Sequence, residues 1–258
     1  MATVWLCGFA FLAGFVDAIV GGGGLIQIPA LFLLLPAGEA AVGATVLGTN
    51  KLSSICGTAM AVVQYSRRIK LNWASLLPGA LTALVFSYLG ARVVASLSTA
   101  LLRPLLLVLL VVVAAYTYAH HDLGTRHAPR FATGRESWLS ILVGAAIGFY
   151  DGFFGPGTGS FLIFIFVGWF GFEFLTASAS AKVINCATNL SAVAFFAATN
   201  HILYERALPM GAANLAGSLL GTRLAMWKGN RFVRGFFLIV VAVLILRYGW
   251  EAAKGLGS

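Results

Sequence analysis

Long apolar runs recur along this chain, and they restrict it to folds whose surface faces lipid. Trp73 to Ala95, Leu101 to Ala119, Trp138 to Val167 and Phe232 to Leu246 all read as candidate spans. A helix needs about 20 mostly apolar residues to cross a hydrocarbon core about 30 Å thick. Only 10% of the residues are charged, whereas soluble domains carry about a quarter. The 258 residues leave room for about eight to ten spans of that length. Met1 to Phe15 has neither a basic leading region nor a small-residue cleavage site, so it reads as a retained helix and not a signal peptide.

The net charge of +9 would suggest nucleic acid in a soluble protein. Here the basic residues group as Arg67, Arg68 and Lys70, or as Lys228, Arg231 and Arg234. These read as short loops that set orientation and meet lipid headgroups, and no nucleic-acid partner is expected. Three cysteines, Cys7, Cys56 and Cys186, lie in apolar segments without a CxxC pair. Neither a disulfide frame nor a thiolate metal site is expected.

The sequence repeats itself. An offset of 131 relates Lys51 to Lys182, Pro78 to Pro209, Arg92 to Arg223 and Arg103 to Arg234. Upstream, an offset of 134 relates Gly14, Phe15 and Asp17 to Gly148, Phe149 and Asp151. A three-residue length difference between the blocks reconciles the two registers. The chain therefore divides into a first transmembrane unit (1–119), a polar linker (120–136) and a second unit (137–258). His120, His121 and His127 belong to the linker and read as solvated, not as metal ligands. Each unit reads as a helix entering a glycine-rich break, a shorter apolar segment, a long polar-spotted helix and two plain lipid-type helices. Four crossings per unit would make the copies parallel, and five would invert them.

Two constellations carry the chemistry. The first is Asp17 followed by Gly21, Gly22, Gly23 and Gly24, echoed by Asp151 with Gly155, Pro156, Gly157, Thr158 and Gly159. Such runs hold a helix poorly. In hydrocarbon their freed backbone groups would cost several kcal/mol each, so a break of this kind belongs in protein or beside a wet cavity. A helix starting after the break would point free N–H groups and the positive end of its dipole at that cavity. The expected backbone donors are at Gly22, Gly23, Gly157 and Thr158. Packing through small residues is the plainer reading, but it asks for neither four glycines in a row nor an adjoining aspartate.

The second constellation is Thr49, Asn50, Lys51 and Ser54, with Thr58 a turn further on, echoed by Lys182, Asn185 and Asn189. Helical spacing puts Lys51, Ser54 and Thr58 on one face. Lys51 is expected near mid-membrane, whereas Lys182, nine residues from Glu173, could sit nearer an interface. A charge at the bilayer centre costs about 2.5–3.5 kcal/mol on insertion scales. Two lysines and two aspartates at equivalent places therefore need a shared cause. One is a pair of structural Asp–Lys bridges holding the halves together. The other is a central cavity in which Lys51, Lys182, Thr49, Asn50, Ser54 and Asn185 meet an anion. The two are compatible, with Asp17 and Asp151 pairing the lysines or coupling to protons. Arg92 and Arg223, near helix ends, read as gating residues or as anchors.

Taken together, Asp17 to Pro29, the block Gly48 to Ser54, and the closing Gly90-Ala91-Arg92 with its echo Gly221-Thr222-Arg223 resemble the TauE/SafE family of sulfite exporters over nearly the whole chain. The resemblance implies a multi-pass carrier of the bacterial inner membrane for sulfite, sulfoacetate, thiosulfate or related anions. The second copy departs from the pattern, with Gly155-Pro156-Gly157-Thr158 for four glycines and Ser180-Ala181 for Thr49-Asn50. The expected fold is all-α and polytopic, two homologous repeats with glycine-broken or re-entrant helices near the midplane. No enzyme motif, cofactor or metal is expected. The expected partners are the bilayer and a small anionic substrate, with a homodimer as one open assembly. An uncoupled anion channel and an importer of thiosulfate or sulfate remain as alternatives.

Overall fold

The computed structural model describes residues 1–36, 43–97, 131 and 133–255. These form eight helices and, among the described residues, no strand. They are α1 (Ala2–Val20), α2 (Gly24–Leu34), α3 (Gly43–Ser66), α4 (Trp73–Ala95), α5 (Thr133–Phe153), α6 (Thr158–Gly168), α7 (Phe174–Ala198) and α8 (Tyr204–Gly255). The expected span from Leu101 to Ala119, Arg103 and the linker histidines His120, His121 and His127 lie outside the described residues. Helices α1, α4 and α7 are long and apolar enough to cross a membrane.

The glycine runs break helices where the sequence places them. Gly21 and Gly22 separate α1 from α2 at φ of 76° and 88°, and Gly155 and Gly157 separate α5 from α6 at 93° and 82°. A residue with a Cβ strongly disfavours this left-handed region. The apolar run from Trp138 to Val167 is thus two helices and not one span. Helices α2 and α6 have 11 residues each. At 1.5 Å per residue they reach about 16 Å, about half a bilayer core.

Two apolar clusters show which way each helix runs. One gathers Leu6 and Ala10 early in α1, Leu31 late in α2, Ala44 to Leu47 early in α3, Val94 late in α4, Phe196 late in α7 and Met210 early in α8. The other gathers Ile19 late in α1, Tyr65 late in α3, Leu76 early in α4, Val167 late in α6, Phe174 early in α7 and Val233 in α8. Helices α1 and α3 therefore run in the same sense, with α2 returning between them. Helices α4, α5 and α7 run in the opposite sense, and α6 returns between the last two. The first half of α8 runs with α1.

Glycine and serine faces bring the two halves together. Gly144, Gly148 and Gly152 of α5 lie on the backbone of Gly79, Ala83 and Ser87 of α4, with no room for a Cβ. Gly217 and Gly221 of α8 lie in the same way on Phe11 and Phe15 of α1. Between apolar helices in lipid, such close approach supplies van der Waals attraction that the hydrophobic effect cannot. Each pair is also tied near its start. Ser75 Oγ donates to Glu136 Oε1 at 2.6 Å, and the Arg206 guanidinium donates to the Thr3 hydroxyl.

Two details differ from the sequence reading. Lys228, Arg231 and Arg234 do not sit in an extended loop: they flank Gly229 (φ 71°, ψ −168°), the kink at which two helical stretches of α8 meet. Residues 134–136, expected in the linker, lie in the first turn of α5, where Glu136 is buried. The Ser75 and Asn72 side chains that donate to its carboxylate account for that burial.

Candidate functional site

The polar faces of α3 and α7 meet the two broken helices at one place. Lys51 Nζ, on α3, donates to Asp151 Oδ2, on α5, at 2.6 Å. Lys182 Nζ, on α7, donates to Asp17 Oδ2, on α1, at 2.8 Å. Each lysine of one half is therefore held by the aspartate of the other, and the same exchange is made twice. The pairs differ in access. The Lys51 and Asp151 side chains are 4% and 2% exposed, whereas that of Asp17 is 17% exposed beside a fully buried Lys182. Lys182 is fully buried, and its ammonium is spent on the ion pair.

A small polar cavity lies between the pairs, lined by Asp17, Lys51 and Asp151 together with residues of both breaks. The centre of a water-sized sphere can move through about 20 Å³ of it, and about 10–15 Å³ suffices for one water. Of the expected donors, Asn50, Lys51, Ser54, Asn185, Gly22, Gly157 and Thr158 line it. Three do not. Lys182 stands behind Asp17, Gly23 directs its N–H to Asp17 Oδ1 at 3.3 Å, and Thr49 accepts the Leu203 N–H at 3.0 Å. Arg92 and Arg223 are exposed on α4 and α8, and neither lines the cavity.

Five further lining positions, Gly24, Thr58, Gly155, Gly159 and Asn189, were part of the same constellations in the sequence without being singled out as contacts. Helical spacing from Lys51 was signal enough for Thr58. Asn189 Nδ2 donates to Thr58 Oγ1 at 3.4 Å. These two positions are related by the sequence offset of 131.

The glycines at the breaks make room for the charges. A Cβ on Gly155 would stand 3.1 Å from Lys51 Nζ, and one on Gly159 would stand 3.4 Å from Lys182 Nζ. The backbones of the two breaks also touch, since a Cβ on Gly159 would lie 2.6 Å from Gly21 Cα. Ser160 Oγ closes the contact by donating to the Val20 carbonyl at 3.1 Å. The N-termini of α2 and α6 border the cavity through Gly24 and Thr158, which adds positive dipole ends to the lysine charges. Some hydroxyls are already engaged: Thr58 donates to the Ser54 carbonyl at 2.9 Å, and Thr158 to that of Gly155 at 2.7 Å. Asn50 Oδ1 is buried without a hydrogen-bond partner among the described residues.

Comparison with known proteins places these residues in a wider group. The family model described as "Sulfite exporter TauE/SafE" matches residues 6–248. The chain is 36% identical over 239 residues to the probable membrane transporter protein ORF9 of a Sinorhizobium species, covering 92% of this chain and 88% of that one. It is 33% identical to the probable membrane transporter protein YfcA of Escherichia coli K12, covering 91% and 85%. It is 34% identical to a probable membrane transporter protein of Haemophilus influenzae, covering 93% of each. No solved structure gives a significant match.

Proposed function

Because the chain belongs to the sulfite exporter TauE/SafE family of membrane transporters, we propose that it is a secondary carrier exporting a small sulfur oxyanion across the bacterial inner membrane. Sulfite, or an organosulfonate such as sulfoacetate, is the substrate of this reading. The observation that carries it is the polar cavity flanked by two crossed ion pairs. A lysine there offers a point charge tolerant of ligand geometry, and the neighbouring amides and helix ends offer donors.

The two copies are inverted in this reading. Its support is the opposite sense of α1 and α3 relative to α5 and α7, with α2 and α6 as re-entrant halves. Inverted units of this kind suit alternating access, in which each copy rocks against the other around a fixed site. Because both of these ion pairs join the two halves, rocking would strain them together. An arriving anion, or a proton on Asp17 or Asp151, would weaken a pair and release the halves. Asp17 is the better placed of the two for proton exchange, being the more exposed.

Flux assays in proteoliposomes test this reading. Sulfite should accumulate against its gradient when a proton gradient is imposed, and Lys51→Ala should abolish that accumulation. Passive equilibration alone would indicate an uncoupled channel, and unaltered accumulation by the variant would remove the cavity from the pathway.

A further inference from the structure

We infer that the groove between α1 and α8 beside Arg223 is a binding site for one phospholipid with an anionic headgroup, such as phosphatidylglycerol. The inference concerns the outer face of the transporter and is independent of which anion the cavity carries.

Phe15 of α1 and Leu220, Arg223, Leu224 and Trp227 of α8 wall the groove. The four α8 positions recur at helical spacing and share one face. Leu220 is 51% and Trp227 77% exposed, so this face is open to lipid. Its depth follows from the packing of the helices. A Cβ on Gly14 or on Gly57 would meet Asn214, which sets α1, α3 and α8 level at that point. Helix α3 and the first half of α8 run in the same sense. Asn214 to Arg223 and Gly57 to Ser66 are equal steps of nine residues. Arg223 is therefore level with Ser66, the end of α3, where the basic turn of Arg67, Arg68 and Lys70 begins. Its guanidinium stands at headgroup level, and Leu220 and Phe15 lie deeper, among acyl chains.

Charge then selects the headgroup. Arg223, Lys228 and Arg231 are exposed and enter no ion pair among the described residues. Lys228 Nζ rests 4.3 Å from the centre of the Trp227 ring, which holds its charge at the outer end of the groove. Basic pockets between spanning helices attract anionic headgroups. A free anion would meet these cations but leave the apolar walls bare, and a neutral lipid would do the reverse. A lipid with net negative charge uses both.

The other copy supplies the contrast. The offset of 131 relates Arg223 to Arg92, but it relates Trp227 and Lys228 to Ser96 and Leu97. The equivalent face of α4 thus lacks both the second cation and the aromatic ring. The apolar groove between α4 and α7, which Tyr88 and Leu190 help to line, has no cation in its walls.

Native mass spectrometry of the purified full chain, titrated with dioleoylphosphatidylglycerol or dioleoylphosphatidylcholine, tests this. One phosphatidylglycerol should bind about tenfold more tightly than phosphatidylcholine, as two or three surface cations imply. Arg223→Gln should weaken phosphatidylglycerol about fivefold and leave phosphatidylcholine unchanged, and Lys228→Gln should act in the same direction. Arg92→Gln, the matched loss of one cation, should keep both wild-type affinities. Glycerol phosphate, a headgroup without chains, should not compete. Equal affinity for the two lipids, wild-type preference in both α8 variants, or an equal loss in Arg92→Gln overturns the inference. Competition by glycerol phosphate also overturns it, since the apolar walls would then contribute nothing. No sulfite flux enters these measurements, so a failure of the substrate reading leaves their outcome untouched.

Discussion

Lys51 Nζ sits 2.6 Å from Asp151 Oδ2, a contact made between the two halves of the chain and not within one. Its counterpart, Lys182 with Asp17 at 2.8 Å, repeats the exchange. In low-dielectric surroundings such pairs roughly balance the cost of removing both charges from water, but removing one partner leaves a buried charge uncompensated.

Asp151→Ala should therefore lower stability by about 3–5 kcal/mol, whereas Lys51→Met with Asp151→Leu should be close to neutral or stabilising. Denaturation in detergent or nanodiscs, with transport measured alongside, checks both. A double variant no more stable than the single would show that the charge pair is not what the single variant breaks. Transport should be lost in both.

Asp17→Asn should uncouple transport from the proton gradient, leaving downhill sulfite flux through the cavity. Flux is to be compared with and without an imposed pH difference. A variant that keeps the wild-type response would move the coupling proton away from Asp17.

Gly21→Ala should fail to yield a stable, active protein. The residue is at φ 76°, and its missing Cβ is where the Gly159 and Ser160 backbones lie. The backbone conformation alone, with ψ at 178°, costs a residue with a Cβ about 1–3 kcal/mol, and the overlap requires the breaks to part. Gly134→Ala, with open space around it, is the matched control and should behave as wild type. Expression, monodispersity and melting temperature together report the contrast.

Labelling of single cysteines introduced by Arg68→Cys, Gly134→Cys and Asn200→Cys tests the inversion. The turn after α3 and the start of α5 should label from one side of the membrane, and the turn after α7 from the other. Parallel copies would place positions 68 and 200 on the same side.

Much of this was legible in the sequence because its signals are local. Four glycines in a row, or Gly155-Pro156-Gly157, break a helix wherever they stand, and Lys51, Ser54 and Thr58 share a face by spacing alone. What the sequence left open depends on tertiary approach. Counting from Glu173 allowed Lys182 an interfacial position, but the length of α7 matters less than the carboxylate of Asp17 reaching it from another helix. The basic cluster from Lys228 to Arg234 looked like a loop because charges are costly in a span. They flank Gly229, a one-residue kink at which two helical stretches meet. Gly144, Gly148 and Gly152 showed small residues at helical spacing, yet only the packed structure names Gly79, Ala83 and Ser87 as the surface that they meet.

The central claim is that both lysines serve one anion site shared by the two halves. Sulfite flux by purified Lys51→Ala and Lys182→Ala, reconstituted beside wild type and normalised to folded protein, addresses it most directly. The account predicts at least a tenfold loss in each variant, through direct contact for Lys51 and through release of Asp17 for Lys182. Wild-type flux in both variants would contradict it.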